Sequence, residues 1–136
     1  MEVFVLISLG FLFLLALLAF FRRKKSKGLK VLDQKVLNYV HAHWIRILDM
    51  AAVHPAAAVV DLDRLLDYVL SVRGYEGTVV EKLKKAKRFF SDVEELKYAH
   101  RLRNKIVHEF LEVSPKEAKR ATLAFKKALN DLGAQV

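Results

Sequence analysis

The chain has 136 residues, room for one domain of ordinary size. Its 24 Lys and Arg exceed 15 Asp and Glu for a formal charge of +9, but residues 1–30 hold six of the bases and one acid, leaving 18 against 14 in residues 31–136. The larger part is therefore only mildly basic, which disfavours a nucleic-acid coat protein. The absence of cysteine excludes disulfides, Cys-ligated zinc, iron–sulfur clusters and a thiol nucleophile.

Residues 1–21 read as a membrane anchor. From Val3 to Phe21 no residue is charged, and as a helix this run would span about 28 Å, close to the hydrocarbon thickness of a bilayer. It is apolar on every face, so it suits a spanning helix better than one lying in the interface. Met1-Glu2 lacks the positive charge of a signal-peptide start and no small-x-small site precedes the basic cluster, so cleavage is not expected. Arg22, Arg23, Lys24 and Lys25, with Lys27 and Lys30, follow in a linker over 22–30. Basic flanks stay on the cytoplasmic side, which predicts an outside N-terminus and a cytoplasmic domain over 31–136. The same cluster would touch anionic headgroups of membrane lipid.

Residues 31–136 show neither strand alternation nor an Asn-Gly or Asp-Gly hairpin signal. The punctuation is helical. Thr78 with Glu81, Ser91 with Glu94, and Ser114 with Glu117 fit the capping-box spacing, and Pro115 stands where a first helical turn tolerates a missing N–H. Gly74, Gly77 and Gly133 fall at expected helix ends. The reading is an all-α bundle of four to five helices at roughly 31–52, 56–73, 79–90, 92–111 and 115–132, with sequential neighbours antiparallel. The third helix is the most basic, with Lys82, Lys84, Lys85, Lys87 and Arg88. That run reads first as a solvated face.

The second helix (AVVDLDRLLDYVLSVR) has an apolar face of Val59, Leu62, Leu66, Val69 and Leu70, with Asp63 at its border and Asp67 slightly farther round. On the fourth helix, with Ile106 as the origin of the wheel, Leu102, Ala99, Phe110, Leu96 and Val107 fall between about −40° and 100°. Arg103 falls inside this apolar arc. A guanidinium keeps its charge, so a buried one needs a carboxylate or an anionic ligand. Asp63 is the preferred partner and Asp67 the second. Asn104 and His108 point to the polar side, with His100 on the border.

Other candidates carry less. His41 and His43 are two apart on a helix and face opposite ways, His54 before Pro55 reads as a turn, and Trp44 reads as core rather than as a dimer surface. No Gly-rich phosphate loop and no His-Glu-x-x-His motif occurs, and Ser91 and Ser114 suggest capping alone. No metal site and no cofactor are expected.

The run Ala99-His100-Arg101-Leu102-Arg103-Asn104-Lys105-Ile106-Val107-His108-Glu109 resembles the signature of HEPN domains, an Arg, a polar residue and then a His on a late helix of a four- or five-helix bundle. The match is Arg103, Asn104 and His108, and the helix order over about 56–132 resembles the family's. The resemblance implies metal-independent cleavage of RNA by a homodimer whose two motifs share one cleft, with an earlier acid such as Asp63 in support. His108 would exchange protons near neutral pH, Arg103 would hold the charge on the phosphorane oxygens, and Asn104 would hold the imidazole or the phosphate. His100 would be an auxiliary contact. Arg103 and His108 are about 140° apart on an ideal helix, so either Arg103 reaches out along its stem, or the helix bends, or a second copy supplies half of the site. A non-catalytic module binding RNA or an unidentified regulatory protein at the membrane is the alternative expectation.

Overall fold

The computed structural model describes Met1 and residues 28–136. The segment expected to form the anchor, and with it Arg22, Arg23, Lys24 and Lys25, lies outside these described residues. Among the described residues no helix is long and apolar enough to cross a membrane. Val31–Val136 forms one compact unit. Its elements are α1 (Gln34–Ala51), α2 (Pro55–Val72), α3 (Val79–Ala86), a 3₁₀ turn (Lys87–Phe89), α4 (Val93–Glu109) and α5 (Pro115–Asp131). The described residues contain no strand and form an all-helical bundle.

The second helix is the hub. α2 packs against α1, α3, α4 and α5, and α4 packs in turn on α5. The reason lies in its composition: Ala58, Val59, Leu62, Leu65, Leu66, Val69 and Leu70 are all buried, so the helix is apolar over most of its circumference. Each large aliphatic side chain so enclosed contributes about 2–3 kcal/mol through water released from its surface. Trp44 and Ile47 from α1, Leu96 and Leu102 from α4, and Phe125 and Leu129 from α5 complete the core. Ile45 and Leu48, by contrast, face solvent.

Helix ends follow from local chemistry. The Thr78 and Ser114 capping boxes form as expected: Glu81 N donates to Thr78 Oγ1 (3.3 Å) and Thr78 N to Glu81 Oε2 (2.7 Å). The corresponding distances for Ser114 and Glu117 are 3.2 and 3.0 Å. The Ser91–Glu94 box does not form. Asp92 is the cap instead, accepting from Glu95 N at 3.2 Å, because Ser91 is held elsewhere, with both its N and Oγ donating to Asp131 Oδ2 at 2.7 Å. The third helix also stops short of residue 90: the α-helix ends at Ala86 and tightens into the 3₁₀ turn, which lets the buried Phe90 adopt an extended backbone.

The end of α5 shows why a glycine is needed. Gly133 has φ +88, in the left-handed region, which lets its own N–H reach Asn130 O and that of Ala134 reach Leu129 O. Leu132 and Ala134 are thereby folded back into the core. Arg73 Nε donates to Leu132 O (3.0 Å) and the ring of His41 meets Ala134 O (3.0 Å), closing the bundle at this end.

Two outcomes are expected. Replacing Ser114 by Ala removes the acceptor for Glu117 N, and a urea titration followed by the single Trp44 should show a loss of about 1 kcal/mol. The backbone hydrogen bond from Ser114 holds Glu117 below the usual carboxylate range, as the one from Thr78 does Glu81. A depressed folded pKa adds stability that is complete above the ordinary value near 4.5 and disappears as pH falls through the folded value. Melting temperature should therefore fall below about pH 4.5, and Glu117→Gln, which can still cap but cannot titrate, should make that fall shallower. An unchanged acid limb in the variant would rule the linkage out.

Candidate functional site

Asp63, in the third turn of α2, is 1% exposed. A carboxylate taken out of water to this degree requires charge-assisted partners. They come from one stripe of α4, on which His100, Arg103 and Asn104 stand at i, i+3 and i+4. His100 Nδ1–H donates to Asp63 Oδ1 at 2.8 Å. Arg103 Nε lies 3.3 Å from Asp63 Oδ2. That contact is an ion pair without hydrogen-bond alignment, and Nε is otherwise a buried donor with no acceptor.

Asn104 closes the circuit. Arg103 Nη1 donates to Asn104 Oδ1 (3.0 Å), and Asn104 Nδ2 donates to His100 Nε2 (3.3 Å). With the carboxylate as an acceptor on Nδ1 and an amide donor on Nε2, the network assigns His100 the neutral, Nδ1-protonated tautomer. Four side chains thus form a ring, Asp63–His100–Asn104–Arg103, that fastens α2 to α4. Arg103 Nη2 has no hydrogen-bond partner among the described residues and remains available to an anion.

The predicted site residues therefore separate. Arg103 has Asp63 beside it, and Asn104 joins them. Asp67 is elsewhere: Lys82 Nζ, itself buried, donates to Asp67 Oδ1 and to Ser71 Oγ, both at 2.7 Å. His108 is exposed at the last turn of α4, outside the ring, with no hydrogen-bond or ion-pair partner among the described residues. His100, expected as an auxiliary contact, is instead buried and central. Its position on the wheel, about 60° from Arg103, was the available signal. The expected apolar arc was centred too near Ile106. Val107 is 42% exposed and Phe110 92%. Leu102 is the last buried residue of the helix, and Ile106, one turn on, is only partly buried against the core.

Chemically the ring contains the parts of an acid–base site. A carboxylate orients an imidazole whose second nitrogen accepts from Asn104, both residues line one groove, and a fixed cation stands beside them. On another side of α4, Arg120 grips Glu95 through two bonds of 2.8 and 2.6 Å while its guanidinium lies 3.7 Å from the Tyr98 ring centre. The hydrogen bond from Arg120 lowers the Glu95 pKa and, reciprocally, raises that of Arg120. This clamp is a surface link between α4 and α5, on a different face of α4 from the ring.

No protein-family model matches the chain, and neither curated proteins nor solved structures provide a match. Among the described residues no group of His, Asp and Glu is placed to hold a metal ion.

Asp63→Asn keeps the shape of the side chain but leaves Arg103 facing a neutral amide. Because the Arg103 side chain is one-quarter exposed, the loss should be about 2–3 kcal/mol rather than the full cost of breaking a buried pair. The shift in the urea midpoint checks this. A variant within about 0.5 kcal/mol of the parent would mean that the carboxylate is not what holds the ring.

Proposed function

We propose that this chain is a HEPN-like RNA-binding protein, tethered to the membrane by its N-terminal segment, that cleaves RNA as a homodimer without a metal ion. The observation that carries the reading is the ring. Arg103 and Asn104, the first two positions of the motif, are fixed to a buried carboxylate and an imidazole rather than left loose on the surface. In this reading the 2′-oxygen of RNA attacks the adjacent phosphorus as a base removes its proton. The 2′-oxygen–phosphorus bond forms, the bond to the 5′-oxygen breaks, and that oxygen takes up a proton. Products are a 2′,3′-cyclic phosphate and a 5′-hydroxyl.

Arg103, through its uncommitted Nη2, would carry the developing charge on the phosphorane, with Asp63 holding its other edge in place. His108 would be the proton-exchanging group, supplied to the ring of one copy by another. Val107, Phe110 and Leu111 beside His108 are exposed, which suits an apolar contact between copies at this end of α4. His100, oriented by Asp63, is a second base candidate within one chain.

One observation favours the non-catalytic reading, a helical module that binds RNA or an unidentified regulatory protein at the membrane: among the described residues His108 has no partner to orient it. The two are separated by incubating the full-length chain in nanodiscs with labelled single-stranded RNA and a chelator. The nuclease reading expects cyclic-phosphate products and a loss of at least about 100-fold in His108→Ala with an unchanged circular dichroism spectrum. Equal cleavage by that variant removes His108 from the chemistry. Salt-sensitive binding with no products supports the module.

A further inference from the structure

The short helix α3 packs on α2 and leaves an open wedge between itself and α4. The wedge is a cavity of about 300 Å³. Its walls are apolar, with Val80, Leu83 and Phe90 on one side and Val93 and Leu96 on the other. Along α4 it runs from Val93 to Asn104, eleven residues or about 16 Å at 1.5 Å per residue. One end is therefore greasy and the other reaches His100 and Asn104 of the ring.

The lips are cationic. Lys84 and Lys87 stand on one, Lys97 and Arg101 on the other. Nearby carboxylates are already engaged: Glu81 caps Thr78, and Glu94 bonds Lys97 at 2.9 Å, which holds its pKa low, with Arg101 and Lys87 adding lesser attraction. Lys84, Lys87 and Arg101 have no salt-bridge partner among the described residues. An apolar trough edged by uncommitted cations complements a body that is aliphatic along its length and negative at its head.

We infer that the α3–α4 wedge is a binding site for a single-chain anionic amphiphile, of the alkyl phosphate or fatty acid type, with its chain between the two helices and its head on the lip cations. The volume is at the lower end of ligand pockets, enough for one chain and too small for the whole face of a partner helix. A nucleobase fits less well. Its edge donors and acceptors would meet hydrocarbon along most of the groove, with polar side-chain partners only at the His100–Asn104 end, and unpaired polar groups are penalised there. This inference is independent of RNA cleavage, although a head lying beside Asn104 would compete with an RNA phosphate.

The test is hydrogen exchange by mass spectrometry on the full-length chain in phosphatidylcholine nanodiscs, without RNA, titrated with butyl, hexyl and octyl phosphate. Peptides covering α3 and the first half of α4 should gain protection, with the half-maximal concentration falling about fourfold for each added methylene. The paired substitution Lys84→Glu and Lys87→Glu, at exposed positions, should raise that concentration at least about tenfold, or about 1.4 kcal/mol, while leaving exchange in α2 unchanged. Equal effects of butyl and octyl phosphate would reduce the site to simple anion adsorption and overturn the inference. So would stronger protection of the same peptides by uridine 5′-monophosphate, an indifferent charge-reversed variant, or protection spread evenly over the bundle. RNA cleavage assays on the same preparation report separately on the catalytic reading.

Discussion

A carboxylate with 1% of its surface in contact with solvent governs this bundle. Asp63 cannot lie among Leu62, Leu66 and their neighbours unless its charge is met, and among the described residues the donors that meet it come from α4. The requirement is directional. His100 must turn its Nδ1 inward and Arg103 must present its Nε edge, so the rotation and register of α4 against α2 are specified more sharply than packing of Leu96, Ala99 and Leu102 alone would specify them. Hydrophobic burial supplies most of the stability, and the polar ring selects one arrangement among several greasy ones. Much the same logic operates with Lys82, whose buried amine is satisfied by Asp67 and Ser71 and sets the position of the short α3.

How far this could be read from the sequence depended on the range of the interaction involved. Capping boxes at Thr78 and Ser114, proline at the start of α5 and glycine at its end are decided within a few residues, and the helices they delimit appear where expected. The exception is instructive. Ser91 has the right neighbour at Glu94, yet a residue forty positions away, Asp131, captures it and transfers the cap to Asp92. A tertiary contact outbid a local one, and no spacing rule contains it.

The site shows the same division. Arg103 inside an apolar arc implied a buried negative partner, and helix periodicity made Asp63 the first choice. Periodicity placed His100 at a border, and the structure shows why a border is not neutral: the carboxylate is deeply set, so both sides of the arc lean toward it. In the opposite sense, Val107 and Phe110 counted as core on the wheel because a wheel has no length. α4 extends past the last layer of the bundle, and apolar residues beyond that layer face solvent.

That overhang divides one helix into two mechanical regimes. Around His100 the backbone is bracketed by buried side chains and a closed polar circuit, so opening it means disturbing the bundle itself. Two turns on, the strand of contacts runs out, and the helix terminates at Phe110 with φ +50, a left-handed conformation that a bulky aromatic tolerates poorly and that glycine would adopt freely. His108 consequently stands on the exposed end of the helix, presented to any incoming surface, while the imidazole eight residues earlier is enclosed by the core.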